Sequence, residues 1–502
     1  MKEPSRREVP LEIPADEFRR LGHRLVDRVA ELLDGIRERP VTRGESPGEI
    51  RRALGQGRLP EQGEAPGRVL DEAAELLIEH SLYNGHPRFW GYITAPAAPI
   101  GVLGDLLAAA INPNMGAWSL SPMASEIEAQ TVRWIAELVG YPVSCGGLLV
   151  SGGNVANLVG FLAGRRARTP WDLRAQGVRP DAAPRLRVYI SAAGHTWIQK
   201  AADVSGLGTE SIRWIDVDDR ERMRPEALAA RIRADREAGD RPVVVVGTAG
   251  SVGTGAVDPL EEIAAIADAE GAWFHVDGAY GGLAAAYPGA PAELRALARA
   301  DSLAVDPHKW LYAPLEAGCA LVRDPEALDA AFHFAPSYYE FDAEAAVNYF
   351  SWGLQNSRSF RALKVWLALR QAGRTGYARM IGDDVALAAT LFERVRAEPE
   401  LEARTLSLSI ATFRYVPEDL AAGGAPVQAY LDQLNGELLT ALQAGGEAYV
   451  SNAVVSGNYL LRACIVNFRT TRDDVMALPG IVVRIGRELD AKLRPEDLRR
   501  GP

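Results

Sequence analysis

The chain has 502 residues, 47 % of them apolar and 24 % charged, with a net charge of −11. That length exceeds the ~250–300 residues at which one core stops growing, so more than one domain is expected, and the acidic balance argues against a general binder of nucleic-acid backbones. No stretch approaches the ~18–20 continuous apolar residues of a membrane span, the opening MKEPSRREVPLEIPADEF carries no signal-like apolar run, and Cys145, Cys319 and Cys464 show neither disulfide nor zinc spacing.

A reducing cytoplasm is therefore the expected compartment, with no metal. Residues 1–15 read as a Pro- and charge-rich lead-in. From Asp16 onward, Phe18, Leu21, Leu25, Val29, Leu32 and Ile36 recur at three- and four-residue steps, the stripe of an amphipathic helix. Such an arm is either an oligomerisation element or a core helix, and periodicity leaves both open. Pro40 to Pro66 reads as a loop with one short helix. Five short apolar runs then alternate with helical stretches, at 147–150, 187–191, 243–247, 273–276 and 303–305. Buried strands separated by helices such as 224–238 and 259–270 predict an α/β fold with a mostly parallel sheet covered on both faces. After about residue 375 the pattern becomes helix 376–397, strand 407–415, helix 425–443, strand 458–466 and helix 471–491. The expected division is an N-terminal helical arm over 1–88, a large domain over 89–375 and a small α+β domain over 376–502.

Ligands of open α/β sheets sit beyond the carboxyl ends of the strands, so the residues after each run are the candidates for chemistry. The first run leads into Ser151-Gly152-Gly153-Asn154 and an apolar helix. That turn suits a phosphate held by backbone N–H groups and a helix N-terminus, and equally suits a tight turn with an ordinary cap. The second leads to Gly194-His195-Thr196-Trp197, where a lone histidine is more often structural. The third leads to Thr248-Ala249-Gly250, whose following glycines miss the G-x-G-x-x-G spacing of a dinucleotide site. The fourth ends in Asp277-Gly278-Ala279, a carboxylate that is costly at a buried strand end unless a cation or donor meets it. The fifth ends in Asp306-Pro307-His308-Lys309-Trp310. Only Lys2, Lys200, Lys309, Lys364 and Lys492 among the 55 basic residues are lysines, so any amine chemistry has few candidates. Lys364, set among Leu363, Val365, Trp366 and Leu367, reads as a snorkelling side chain.

An anion turn, a strand-end carboxylate and a strand-end lysine are together the parts that pyridoxal 5′-phosphate (PLP) requires. At this point the sequence resembles the group II PLP-dependent amino acid decarboxylases, the aromatic-L-amino-acid decarboxylases among them. The likeness runs from His86-Pro87-Arg88-Phe89 to about Arg379, and rests on His275-Val276-Asp277-Gly278-Ala279-Tyr280-Gly281-Gly282 paired with Asp306-Pro307-His308-Lys309-Trp310. It implies a type I PLP fold and a homodimer with interlocked N-terminal helices. It also implies roles: Lys309 for the cofactor aldehyde, Asp277 for the pyridine nitrogen and His195 for the ring face. Gly153 and Asn154 would lie at the phosphate with His308 near it, and Thr248 and Ala279 would contact the cofactor. Residues 336–352 match a mobile catalytic loop, in which Tyr349 stands where these enzymes carry the tyrosine that protonates the α-carbon.

The resemblance implies decarboxylation of an L-amino acid, with an aromatic substrate favoured by Trp90, Tyr92 and Trp118. Core packing explains those aromatics as well, and the stretches around Arg88 and Asn114-Met115 look more like glutamate decarboxylases. Gly116 stands where animal aromatic decarboxylases carry a bulky residue. The rivals are an aminotransferase or aldolase on the same fold, and a regulatory binding protein that retains it.

Overall fold

The computed structural model describes residues 9–55, 57–178, 183–334, 346–421 and 423–499. Its large sheet has seven strands: β1 (Gly146–Val150), β2 (Leu186–Ser191), β3 (Ile212–Ile215), β4 (Arg241–Thr248), β5 (Trp273–Asp277), β6 (Ser302–Val305) and β7 (Gly318–Val322). They lie in the order β1-β7-β6-β5-β4-β2-β3. Pairs β2–β3, β2–β4, β4–β5 and β5–β6 are parallel, whereas β7 runs antiparallel to both β6 and β1. One reversed strand thus sits in an otherwise parallel sheet.

Neighbouring residues of a strand face opposite ways, and here they feed two cores. Val245, Phe274, Leu303 and Leu321 join one cluster, while Val244, Trp273, Ala304 and Ala320 join another. Helix Gly153–Arg168 packs along β4, β5, β6 and β7, and helix Leu260–Ala269 packs on β4 and β5. Burial on both faces explains the continuous apolar runs. Two strands of this sheet are not evident from the sequence. Edge strand β3 is half-polar, with Arg213 and Trp214 partly or fully exposed. Strand β7 follows the Lys309 turn with no crossover helix, so helix–strand alternation does not announce it.

The small sheet is antiparallel: β8 (Leu401–Ser407), β9 (Ile410–Tyr415), β10 (Ser451–Val455) and β11 (Asn458–Cys464), ordered β10-β11-β9-β8. Residue 407, expected to open a strand through 415, instead ends β8, with Leu408 at φ 49° in the turn to β9. Helices Ala425–Gly445 and Arg472–Leu493 pack together beside this sheet. The position 375 falls within helix Ala362–Arg396, whose backbone breaks at Gly373 (φ 64°, ψ 173°).

The arm forms helices Ala15–Asp34, Pro47–Leu54 and Pro66–His80, the second opened by a Ser46–Glu49 capping box. Arg37 and Arg88 both reach the buried Asp474, at 2.9 and 3.2 Å, which ties the arm to the small sheet's helices. No helix among the described residues is long and apolar enough to cross a membrane.

Candidate active site

The carboxyl ends of β1, β2, β4, β5 and β6 converge on one cavity of about 500 Å³. Its wall includes Gly153, Asn154, His195, Thr248, Asp277, Ala279, His308, Lys309 and, at the mouth, Tyr92. The parallel strands place these residues together because each chain segment leaves the sheet at the same edge.

Asp277 is buried at the end of β5. Its Oδ2 accepts the Trp197 indole N–H at 2.8 Å and its Oδ1 accepts the Ala279 backbone N–H at 3.2 Å. Both donors are neutral, so they steady the carboxylate without cancelling its charge. Behind it, His275 bonds through Nδ1 to Ser302 Oγ and through Nε2 to Asn157 Oδ1, both at 2.8 Å. Burial pushes this imidazole down to about 4, against the pull of Asp277. His275 therefore stays neutral and leaves the negative charge of Asp277 directed at the cavity.

Lys309 sits in the single helical turn Pro307–Trp310, with Nζ 2.9 Å from Asp306 Oδ2. The His308 ring is anchored by Nδ1 on the Ala317 carbonyl at 2.7 Å. Burial lowers the affinity of His195 and His308 for a proton, opposed at His195 by Asp277 and at His308 by Asp306. Lys364 does not snorkel: it is buried and pairs with Asp105 at 3.2 Å.

These residues fit PLP. Oδ1 of Asp306 is buried with no hydrogen-bond partner in the chain among the described residues, so the wall holds a polar group still to be satisfied. Gly152 (φ 86°) turns the chain into the helix that starts at Gly153. A Cβ at Gly153 would stand 2.6 Å from Asp306 Oδ2, so only glycine keeps this end of the cavity open. An amine, a carboxylate and a glycine-opened helix N-terminus match an aldehyde, a pyridine nitrogen and a phosphate.

The structure does not bring Trp90, Trp118 or Tyr349 to the cavity. Trp90 is buried in the small domain's core and donates to Thr470 Oγ1 at 3.1 Å. Trp118 donates to Glu126 at 2.9 Å. Tyr349 is buried beneath Arg358, whose guanidinium lies 4.7 Å from the ring centre, and edge-on to Trp352. Backbone and side-chain bonds zip these segments together: Trp118 N–H to Asn348 Oδ1 at 3.0 Å, and Phe350 N–H to the Gly116 carbonyl at 2.9 Å. Pro336-Ser337-Tyr338-Tyr339 of the expected catalytic loop lies outside the described residues.

Arg462 is a cavity residue not expected from the sequence. Arg462 of β11 is buried in the wall; it donates to Ser451 Oγ at 2.7 Å and to the Tyr92 carbonyl at 3.0 Å, and its Nε has no partner among the described residues. The signal was present, since an arginine inside Leu460-Leu461-Arg462-Ala463-Cys464 is expensive to bury without a purpose.

A doubly wound sheet with a small antiparallel domain and this cavity define a PLP-dependent enzyme of the type I fold. Residues 47–415 match the pyridoxal-dependent decarboxylase conserved domain, and the chain belongs to that family. It is 31 % identical over 472 residues to an aromatic-L-amino-acid decarboxylase of Bacillus atrophaeus, covering 93 % of this chain and 95 % of the relative. It is 34 % identical over 483 residues to a tyrosine decarboxylase of Oryza sativa subsp. japonica, covering 92 % and 89 %. Among solved structures, Oryza sativa TDC with PLP and tryptamine superposes with a TM-score of 0.88 at 27 % identity, covering 96 % of this chain and 100 % of that one. The protein is accordingly an enzyme that uses PLP to decarboxylate an L-amino acid.

Proposed function

We propose that the substrate is an aromatic L-amino acid, converted to its amine and CO2 by a homodimer in the cytoplasm. The observation that carries this reading is the composition of the cavity. Beside Lys309 and Asp277 its wall offers Tyr92, Ile93, Val252, Tyr280 and Leu315, a surface suited to a flat apolar side chain. Arg462 is the one arginine among the described wall residues, enough for a single carboxylate, so no second arginine there pairs with an acidic side chain. The names of the bacterial and rice relatives agree with this choice.

Bound PLP supplies an electron-withdrawing ring that accepts the electron pair left on the α-carbon as CO2 departs. Lys309 would hold the cofactor through its amine. Asp277, steadied by Trp197 and Ala279, would hold a proton on the ring nitrogen. His195 would cover the ring face, Gly153 and Asn154 would take the phosphate with His308 beside them, and Thr248 would contact the cofactor. Tyr349 returns a proton to the α-carbon; burial holds its phenol well above the ordinary value, so it remains protonated at neutral pH. Because Tyr349 lies off the cavity within one chain, this role requires its segment to rearrange or to serve a second chain.

Exposed apolar surface supports the dimer. Helix Pro99–Ile111 exposes Leu103, Leu106, Leu107 and Ile111, and the arm helix Ala15–Asp34 buries only Leu21. A patch of this kind usually marks an interface. Three free cysteines, two of them buried, agree with a reducing compartment. The test is a panel of L-amino acids scored for CO2 and amine against keto acid or aldehyde. Aromatic substrates should react fastest, and Lys309→Ala should lose both turnover and the visible absorbance of bound PLP. Faster release of CO2 from glutamate, or a normally coloured Lys309→Ala protein, would overturn the reading.

A further inference from the structure

The residues that bracket Lys309 converge on a carboxyl group that has no part in the chemistry above. Trp310 donates its indole N–H, and Tyr312 its hydroxyl, to the same oxygen of Asp384, at 2.9 and 2.8 Å. Asp384 is buried on helix Ala362–Arg396, past the break at Gly373. Its other oxygen faces the backbone N–H of Asn467 at 3.4 Å, three residues beyond the end of β11. Asn467 in turn donates its side-chain amide to the His86 carbonyl at 2.8 Å. No arginine, lysine or histidine among the described residues forms an ion pair with Asp384, so three neutral donors alone compensate its burial.

A buried carboxyl costs several kcal/mol unless donors meet it, and two of its donors here are the side chains that follow Lys309. What the carboxyl provides is geometry. Trp310 and Tyr312 follow Lys309 by one and three residues, and each is held at its polar end. Trp310 also stacks on Tyr280 at 4.8 Å, and the Tyr280 hydroxyl bonds to Ser409 in the β8–β9 turn at 2.8 Å. Tyr377, on the same helix as Asp384, donates to the Leu311 carbonyl at 3.0 Å. Every residue from 310 to 312 is therefore pinned, and the partners of Trp310 and Tyr312 also touch the small domain.

We propose that Asp384 is a positioning residue: it locks the turn that carries Lys309 and couples the placement of that amine to the seating of the small domain. The inference rests on Lys309 as the lysine that takes PLP. Burial, with Asp383 alongside, raises Asp384 to about 7. Its protonated and ionised forms can both accept from Trp310 and Tyr312, so the lock does not depend on one charge state.

The experiment titrates PLP into the full-length apoprotein, reading uptake by visible absorbance and stability by thermal melting. Tyr312→Phe removes one hydroxyl, and Trp310→Phe removes one N–H while keeping a ring against Tyr280. Each should weaken PLP uptake by roughly tenfold, the scale of a hydrogen bond to a carboxylate, and lower kcat with little change in KM. Asp384→Asn keeps an oxygen for Trp310 and Tyr312 and should load nearly as the parent does, whereas Asp384→Ala should load least. If Asp384→Ala and both phenylalanine variants take up PLP with parental affinity and only the melting temperature drops, Asp384 is merely structural and the proposal is overturned. If Asp384→Ala does not fold, Tyr312→Phe decides by the same criterion. Lys309→Ala separates the two readings: a normal visible band there defeats the underlying assignment, while a lost band beside unaffected Asp384 and Tyr312 variants defeats this inference alone.

Discussion

His275 and Asp277 stand two residues apart on β5 and so share a face of the sheet, yet they carry opposite electrostatic duties. Trp197 separates them, edge-on to the imidazole at 5.6 Å and hydrogen-bonded to the carboxylate. A charged His275 would compete for Asp277, and burial prevents it. The sign of the linkage follows. Between 6.5 and about 4 the unfolded histidine binds a proton that the folded one refuses, so stability from this group falls as pH drops through that window. The full effect is on the order of 3 kcal/mol. His275→Gln should flatten the pH dependence of unfolding over that range, and an unchanged slope would show that the group is not held neutral. Tyr349 poses a different question at the same scale. Tyr349→Phe should cut amine release by roughly 100-fold or more, as expected for loss of a general acid. Unaltered amine formation, measured by chromatography, would remove Tyr349 from the mechanism.

At the scale of elements, the site is made by strand ends rather than by any one motif. The turn between β1 and helix Gly153–Arg168 shows how narrow the tolerance is. Gly153→Ala would place a methyl 2.6 Å from Asp306 Oδ2 and 3.1 Å from the Ala279 methyl. Overpacking of that kind costs about 1–3 kcal/mol, so PLP affinity should fall by roughly tenfold or more, read by titration of the apoprotein; parental affinity would mean that this turn does not bear on the cofactor. The strands that carry this site were legible because continuous Val and Leu runs betray burial on both faces. Strands β3, β7, β8 and β10 were not. In β3, β8 and β10 polar residues interrupt the apolar run, as the alternately buried and exposed residues of Ser451–Val455 show; β7 is apolar throughout but no crossover helix precedes it, and a short hairpin turn such as Leu408-Ser409 carries neither glycine nor proline.

For the whole molecule, the apolar face of helix Pro99–Ile111 is the feature a single chain leaves unexplained. Substituting Leu103→Glu together with Leu106→Glu should convert a dimer to monomers in sedimentation and abolish activity with it; dimers of normal mass would place the interface elsewhere. The sequence by itself determined the chemistry of the cavity, because an amine, a carboxylate and a glycine turn announce themselves by residue type at the ends of recognisable strands. Packing decided the rest. Aromatic character made Trp90, Tyr92 and Trp118 look alike, but only Tyr92 reaches the cavity, since Trp90 fills the small domain's core and Trp118 turns toward Glu126. Arg462 and Asp384 come from distant parts of the chain, and their neighbours exist only once the two sheets are seated together. Local residue type records what a side chain can do, whereas the partners that give it a task are brought close by tertiary contacts across hundreds of residues.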